Sequence, residues 1–272
     1  SMGKNKLQHF AELKTFPNVI EPADKKPINW QKLFGNNHPI TLELACGKGE
    51  YALALARLFP KRNFIGIDIK GARLWRGAKT ALAENLTNVA FLRIQIEDLE
   101  QYFNCDENSI TARCLPPPRR RGLGVVGYDS SPQNTFFTEP TLREPPNIVK
   151  EIWLTFPDPF PRQRQMNKRL TSPRFLAMYK NILSPGGAIH LKTDDLNLFN
   201  YSIETAIAEG WKIKEVINNI YEMPTLSFRP IRLGRSEPES RNKLDEILNI
   251  KTFYENQHLR GGKQIHYVCF SV

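Results

Sequence analysis

The chain has 272 residues and a formal net charge of +10, enough length to bury a core without disulfide staples and a charge that favours a polyanionic partner without naming it. Its four cysteines are scattered with no C-x-x-C pair, which argues against a zinc site or a disulfide framework and fits a reducing cytosol; no metal is expected. No apolar run reaches the roughly 18 residues of a membrane span, and the first residues, SMGKNKLQHF, lack the apolar stretch of a signal peptide, so a cytoplasmic protein with no membrane partner is expected.

In chain order, ITLEL (40–44), NFIGIDI (63–69), VAFLRIQI (89–96), VKEIWLTF (149–156) and AIHLKT (188–193) read as strands. Between them, residues 49–59, 70–85, 173–183 and 195–208 carry apolar residues at helical spacing. That alternation predicts an α/β fold with a mostly parallel central sheet and helices on both faces. Ligands of such sheets bind at the carboxyl ends of strands, where the strand order reverses. Residues 109–147 break the rhythm: they are rich in Pro and Arg, show neither periodicity, and read as an insertion. Arg119, Arg120 and Arg121 make it either an additional RNA-contacting arm or a surface insert with no role.

The first chemical motif is LELACGKGEYALALA (42–56). A strand ends at Leu44, Gly47 and Gly49 permit a tight turn, and a helix follows, which suits a nucleotide-containing cofactor. The pattern alone serves a dinucleotide or S-adenosylmethionine equally. Glu43 is placed to hold a methionine amino group or to orient the loop. Asp68, ending the next strand, can accept from ribose hydroxyls, and Asp98 follows the third strand, where an adenine edge would be read. LSPGGAIHL (183–191) adds a helix stop and a turn into a strand, an entry common among S-adenosylmethionine-dependent methyltransferases.

The stretch TFPDPFPRQRQMNKRL (155–170) sets one acid, Asp158, between two prolines and follows it with Arg162, Arg164, Lys168 and Arg169. The corner reads either as a turn with Asp158 capping a helix or as a rigid mount for a working carboxylate. The basic run reads as a solvated face or as a grip on RNA phosphates. Five histidines show no metal-ligand spacing.

ELACGKG, GIDIK, the Pro-Asp-Pro corner with its basic tail, KTDD and KTFYENQHLRGGKQIHYVCF together resemble the bacterial tRNA (guanine-N7-)-methyltransferases. The resemblance runs from about Pro39 to the end of the chain, the insertion excepted, and implies a Rossmann-like class I methyltransferase domain over 39–272 behind an N-terminal extension (1–38). It implies S-adenosylmethionine as cofactor, bound through Glu43, Gly47, Gly49, Asp68 and Asp98, and tRNA as partner, methylated on a guanine of the variable loop. Asp158 is then catalytic, Arg162, Asp194, Thr252 and Glu255 bind the target nucleotide, and Arg164, Lys168 and Arg169 contact RNA phosphates. Asp194 fits a helix N-cap as well. The family usually has Gly where this chain has Ala45, Trp in place of Phe160, and often Lys in place of Arg162. A small-molecule methyltransferase would share the cofactor loop without needing the basic strip, and a non-catalytic RNA-binding protein would need the strip without the loop. Monomer and homodimer both stay open.

Overall fold

The computed structural model describes residues 2–103, 149–222 and 238–272; the expected insertion at 109–147, with its three arginines, lies outside them. Eight strands form one sheet: β1 (Val19–Ile20), β2 (Ile40–Leu44), β3 (Asn63–Ile67), β4 (Val89–Leu92), β5 (Val149–Thr155), β6 (Leu183–Thr193), β7 (Lys212–Ile217) and β8 (His266–Ser271). They lie in the order β1-β4-β3-β2-β5-β6-β8-β7. Pairing is parallel as far as β6, and β8 inserts antiparallel between β6 and β7.

Strands β2, β3 and β4 are buried along their whole length, as parallel strands covered on both faces must be. Alternation assigns their side chains to two cores. Phe64, Phe91, Trp153 and Tyr267 face α1 (Met2–Leu13), α3 (Glu50–Leu58) and α4 (Gly71–Ala83). Ile65, Leu92, Ile152 and Val268 face α2 (Trp30–Phe34), α5 (Glu100–Phe103), α6 (Pro173–Ile182) and α7 (Leu196–Ala208). The helices present the apolar stripes their spacing predicts: Leu74, Gly77, Ala78 and Ala81 on α4, Phe175, Leu176, Tyr179 and Ile182 on α6,. Pro173 starts α6 at a position where a missing N–H is harmless,. The remaining helices are α8 (Pro238–Leu248) and α9 (Phe253–Arg260).

Several sequence-predicted boundaries move: the strand expected over 63–69 ends at Ile67, that over 149–156 ends at Thr155, and that over 188–193 begins at Leu183, taking in the Pro-Gly-Gly turn. The strand expected over 89–96 stops at Leu92, and the chain then turns through a short 3-10 helix, Ile96–Asp98. The N-terminal extension is built into the same body: β1 pairs with β4 at the sheet edge, Glu12 of α1 accepts from Trp75 Nε1 (2.8 Å) and Lys79 Nζ (3.0 Å), and buried Trp30 stacks on Phe103.

The order reverses between β2 and β5, where Leu44 pairs with Leu154. The glycine turn after β2 and the Pro-Asp-Pro corner after β5 therefore leave the same end of the sheet side by side. Gly77 of α4 seats the glycine turn: a Cβ there would lie 2.5 Å from the Lys48 carbonyl oxygen and 2.8 Å from Phe91 Cζ. In an open helix, Gly→Ala stabilises by about 1 kcal/mol; forcing a methyl against a backbone carbonyl costs about 1–3 kcal/mol. Because a carbonyl cannot swing aside like a side-chain end, Gly77→Ala is expected to lower stability on urea unfolding, and a stabilised variant would show that the loop yields.

Candidate active site

The turn after β2 uses three residues in the left-handed region, Ala45 (φ +55°), Gly47 (+57°) and Gly49 (+66°). A Cβ at Gly49 would strike Phe91 Cε1 at 2.4 Å, so only glycine fits there, while the space beside Gly47 is open. Asp68, at the end of β3, fixes the turn from across the strands: Oδ2 accepts from the Gly47 N–H (2.9 Å) and Oδ1 from the Lys70 N–H (2.8 Å). Each oxygen keeps a further lone pair for a ligand hydroxyl. Glu43 is buried beneath the turn, accepting from the Ala52 N–H of α3 (2.9 Å) and from Thr155 Oγ1 (2.8 Å). Of its two expected roles, the geometry is that of orienting the loop. Asp98 lies in the 3-10 helix after β4 and is paired with Lys25 of the N-terminal segment at 2.7 Å.

Across the reversal, Phe156 (φ +51°) and Phe160 (+42°) hold left-handed backbone on either side of Pro157-Asp158-Pro159. Asp158 is exposed and, among the described residues, has no hydrogen bond or ion pair. Arg169 departs from the expected phosphate contact. Only 5% exposed, it donates through Nε to the Pro159 carbonyl (2.8 Å) and through a terminal nitrogen to the Phe160 carbonyl (3.3 Å), and its guanidinium lies 4.4 Å over the Tyr201 ring. It clamps the corner. Arg162, Arg164 and Lys168 remain exposed on and beside the short 3-10 helix Gln163–Lys168.

The late segment closes the site. Thr252 caps α9, its hydroxyl accepting from the Glu255 N–H (3.2 Å). Glu255 is fully buried and takes hydrogen bonds from Lys192 Nζ (2.8 Å) and Tyr221 Oη (2.6 Å). Asp194 is not the cap of α7; Asp195 is, accepting from the Leu198 N–H (2.7 Å). The Asp194 carboxylate instead meets Lys263 Nζ and lies 3.2 Å from His258 Nδ1, and His258 stacks on Phe156 at 5.6 Å between ring centres. His258 and Lys263 were not singled out from sequence; the available signal was that His258 lies one helical turn after Glu255. His190 and His266 are buried in the sheet, and burial pushes His190 down to about 4. Among the described residues no group of three His, Cys, Asp or Glu is placed to hold a metal, and no helix is long and apolar enough to cross a membrane.

S-adenosylmethionine fits these residues: the open space beside Gly47 admits a ligand against bare backbone, and Asp68 has the acceptor capacity a ribose requires. The sheet order, glycine turn and carboxylate after β3 define a class I S-adenosylmethionine-dependent methyltransferase fold. A family model described as "Putative methyltransferase" matches residues 37–112 and 141–268. The tRNA (guanine-N(7)-)-methyltransferase of Christiangramia forsetii is 38% identical over 278 residues, covering 99% of this chain and 98% of that protein. Its namesake from Bacteroides thetaiotaomicron is 36% identical, covering 99% and 86%. Among solved structures, the 16S rRNA methyltransferase KamB superposes with a TM-score of 0.51 at 15% identity, covering 89% of this chain and 92% of that one, a likeness of fold. The chain belongs to the tRNA (guanine-N7-)-methyltransferase family.

Burial raises Glu43 from an ordinary 4.5 to about 7, against the opposing hydrogen bonds from Thr155 and Ala52. A carboxyl whose folded-state pKa lies above its unfolded value binds its proton more tightly in the fold, so stability falls as pH rises between those two values and levels off above the higher one. Glu43→Gln removes that titration. Relative to wild type, the variant is expected to gain up to about 3 kcal/mol on urea unfolding between pH 4.5 and pH 7,. A difference that stays flat across this window would place the Glu43 pKa at its ordinary value.

Proposed function

We propose that this chain transfers the methyl group of S-adenosylmethionine to N7 of a guanine in the variable loop of tRNA, in the cytoplasm. The observation that carries the reading is Asp158: an exposed carboxylate without a partner among the described residues, locked between two prolines at the strand reversal, across from the glycine turn. Guanine N7 has an in-plane lone pair and no proton, so the reaction needs no general base. When bound, S-adenosylmethionine supplies a methyl on a cationic sulfonium, and that charge passes to the purine as the bond to N7 forms.

The protein's part is then placement, which contributes roughly 7–11 kcal/mol when reacting atoms are held in line. Asp158 accepts from the N–H groups of the guanine Watson–Crick edge and stabilises the positive charge that develops on the ring. Adenine offers no matching donor at N1, which favours guanine. Gly47, Gly49 and Asp68 hold the cofactor, with Glu43 beneath the turn and Asp98 at the adenine end. Arg162, Arg164 and Lys168, exposed beside the corner, grip backbone phosphates; Arg169 serves by fixing the carbonyls that flank the corner. Asp194, with His258 and Lys263, borders the target nucleotide, and Thr252 with Glu255 shapes the wall behind it. The family model's two matched blocks leave residues 113–140 between them, which supports reading 109–147 as an insertion.

Labelled methyl incorporation into unmodified tRNA, followed by a nucleoside digest, tests the activity and separates it from both a small-molecule methyltransferase and a non-catalytic RNA binder. Asp158→Ala is expected to lower kcat roughly 10²-fold or more while S-adenosylhomocysteine still binds; near-normal turnover would reduce Asp158 to a turn residue. Neutralising Arg164 and Lys168 together should lower the slope of log binding constant against log salt by roughly one unit per lost phosphate contact. An unchanged slope would make this segment a solvated face.

A further inference from the structure

Behind the glycine turn, on the α3 and α4 side, lies a cavity of about 390 Å³ to which no role has been assigned. Four cations line it: Lys48, Arg57, Arg76 and Lys251. Arg57 is neutralised by Glu84 through two hydrogen bonds of 2.7 and 2.8 Å. The other three are not paired with a carboxylate among the described residues: Lys48 lies 4.6 Å over the Phe253 ring, Lys251 lies 4.8 Å over Tyr221, and the Arg76 guanidinium makes neither a hydrogen bond nor an ion pair with a described residue. The one acid in the lining, Glu50, is engaged by the Phe253 N–H at 2.6 Å. Like charges gathered without partners repel, and an anion relieves that repulsion.

The wall adds a second kind of chemistry. Phe253, in the lining, is 50% exposed; its neighbour Tyr254, outside the lining and edge-on to it, is 46% exposed, and among the described residues these are the only aromatic side chains in the exposed class. Exposed aromatic faces beside unpaired cations suit single-stranded nucleotides, with the base on the ring and the phosphate on the cations. Helix α9 links this cavity to the catalytic corner. It begins at Phe253 and carries His258 against Phe156, two residues before Asp158; five residues of helix span about 7.5 Å.

We infer that this cavity holds a second nucleotide of the RNA substrate, flanking the target guanine, with its phosphate between Arg76 and Lys251 and its base on the Phe253 face that Lys48 leaves free. The inference rests on the RNA-methylating reading and extends its substrate contacts to the opposite side of the cofactor turn from Arg164 and Lys168.

The test uses the full chain, unmodified tRNA and three variants, Arg76→Gln/Lys251→Gln, Phe253→Ala and Phe253→Trp. The double variant is expected to flatten the salt dependence of tRNA binding by about one unit of slope. Phe253→Ala should raise the KM for tRNA about tenfold with kcat within about twofold, and Phe253→Trp should restore KM. S-adenosylhomocysteine affinity should hold in all three. Unchanged slope and KM overturn the inference. So does a parallel loss of S-adenosylhomocysteine binding, which would make the cavity a support for the cofactor turn. Titration with AMP distinguishes a free-nucleotide site: AMP binding lost in the variants while tRNA binding is unchanged also overturns it. Because binding is measured apart from methylation, failure of wild type to form N7-methylguanosine defeats the activity reading alone, and unaltered binding by the variants defeats the site alone.

Discussion

The architecture of the site depends on one buried ammonium. Lys192, on β6, is wholly enclosed, and its three donors go to the Leu248 carbonyl (2.8 Å), the Ile250 carbonyl (2.9 Å) and Glu255 (2.8 Å). Burial pushes the Lys192 pKa down and the Glu255 charge opposes that. Removing one partner of such a pair leaves an uncompensated buried charge, at about 3–5 kcal/mol. The contact ties the end of α8, the approach to α9 and the first turn of α9 to the centre of the sheet. It acts together with the Glu50 contact to the Phe253 N–H and the stack of His258 on Phe156. Tyr221 completes the shell of Glu255, so both oxygens of this carboxylate are engaged in holding α9 to the sheet.

Against that anchor, the two loops at the strand reversal are held in conformations the chain resists. Ala45, Phe156 and Phe160 occupy left-handed backbone without being glycine, each at about 1–3 kcal/mol. The compensation is visible locally. The Phe156 N–H donates to the Lys192 carbonyl (2.8 Å), its ring stacks on His258, and Arg169 holds the carbonyls of Pro159 and Phe160. Strain on both sides of Asp158, held by hydrogen bonds from two directions, presents the carboxylate with little freedom to relax. A reaction that needs placement more than proton transfer favours that design.

Much of this was legible in the sequence, and the gaps have physical causes. Strands β2 and β5 and helices α3, α4, α6 and α7 were readable because largely buried parallel strands are continuous apolar runs and amphipathic helices carry strong periodicity,. Strands β7 and β8 were not placed: β7 is exposed at alternate residues near its start, and the antiparallel insertion of β8 is a long-range pairing that local pattern does not encode. The family's usual glycine at position 45 is explained by φ +55°, a constraint invisible in an alanine. Arg169 shows the limit most clearly. Four cations in eight residues look alike as charge, yet one is buried because carbonyls ten residues back point at it. The same limit applies to Asp194 and Asp195, where only the structure shows which of two adjacent acids caps the helix.

Helix α9 makes these features interdependent. Its first turn is fixed from below by Glu255 and from the side by Glu50, which ties it to the start of α3 and so to the cofactor turn. Its last turn carries His258 onto Phe156 and toward Asp194. Eight residues of helix span about 12 Å, so this one short element runs from the exposed Phe253, joined to the start of α3 through Glu50, to the corner at Phe156. The exposed Phe253 face, the cofactor turn and the corner that carries Asp158 therefore meet on one helix, held by Glu255, by Glu50 and by the His258 stack.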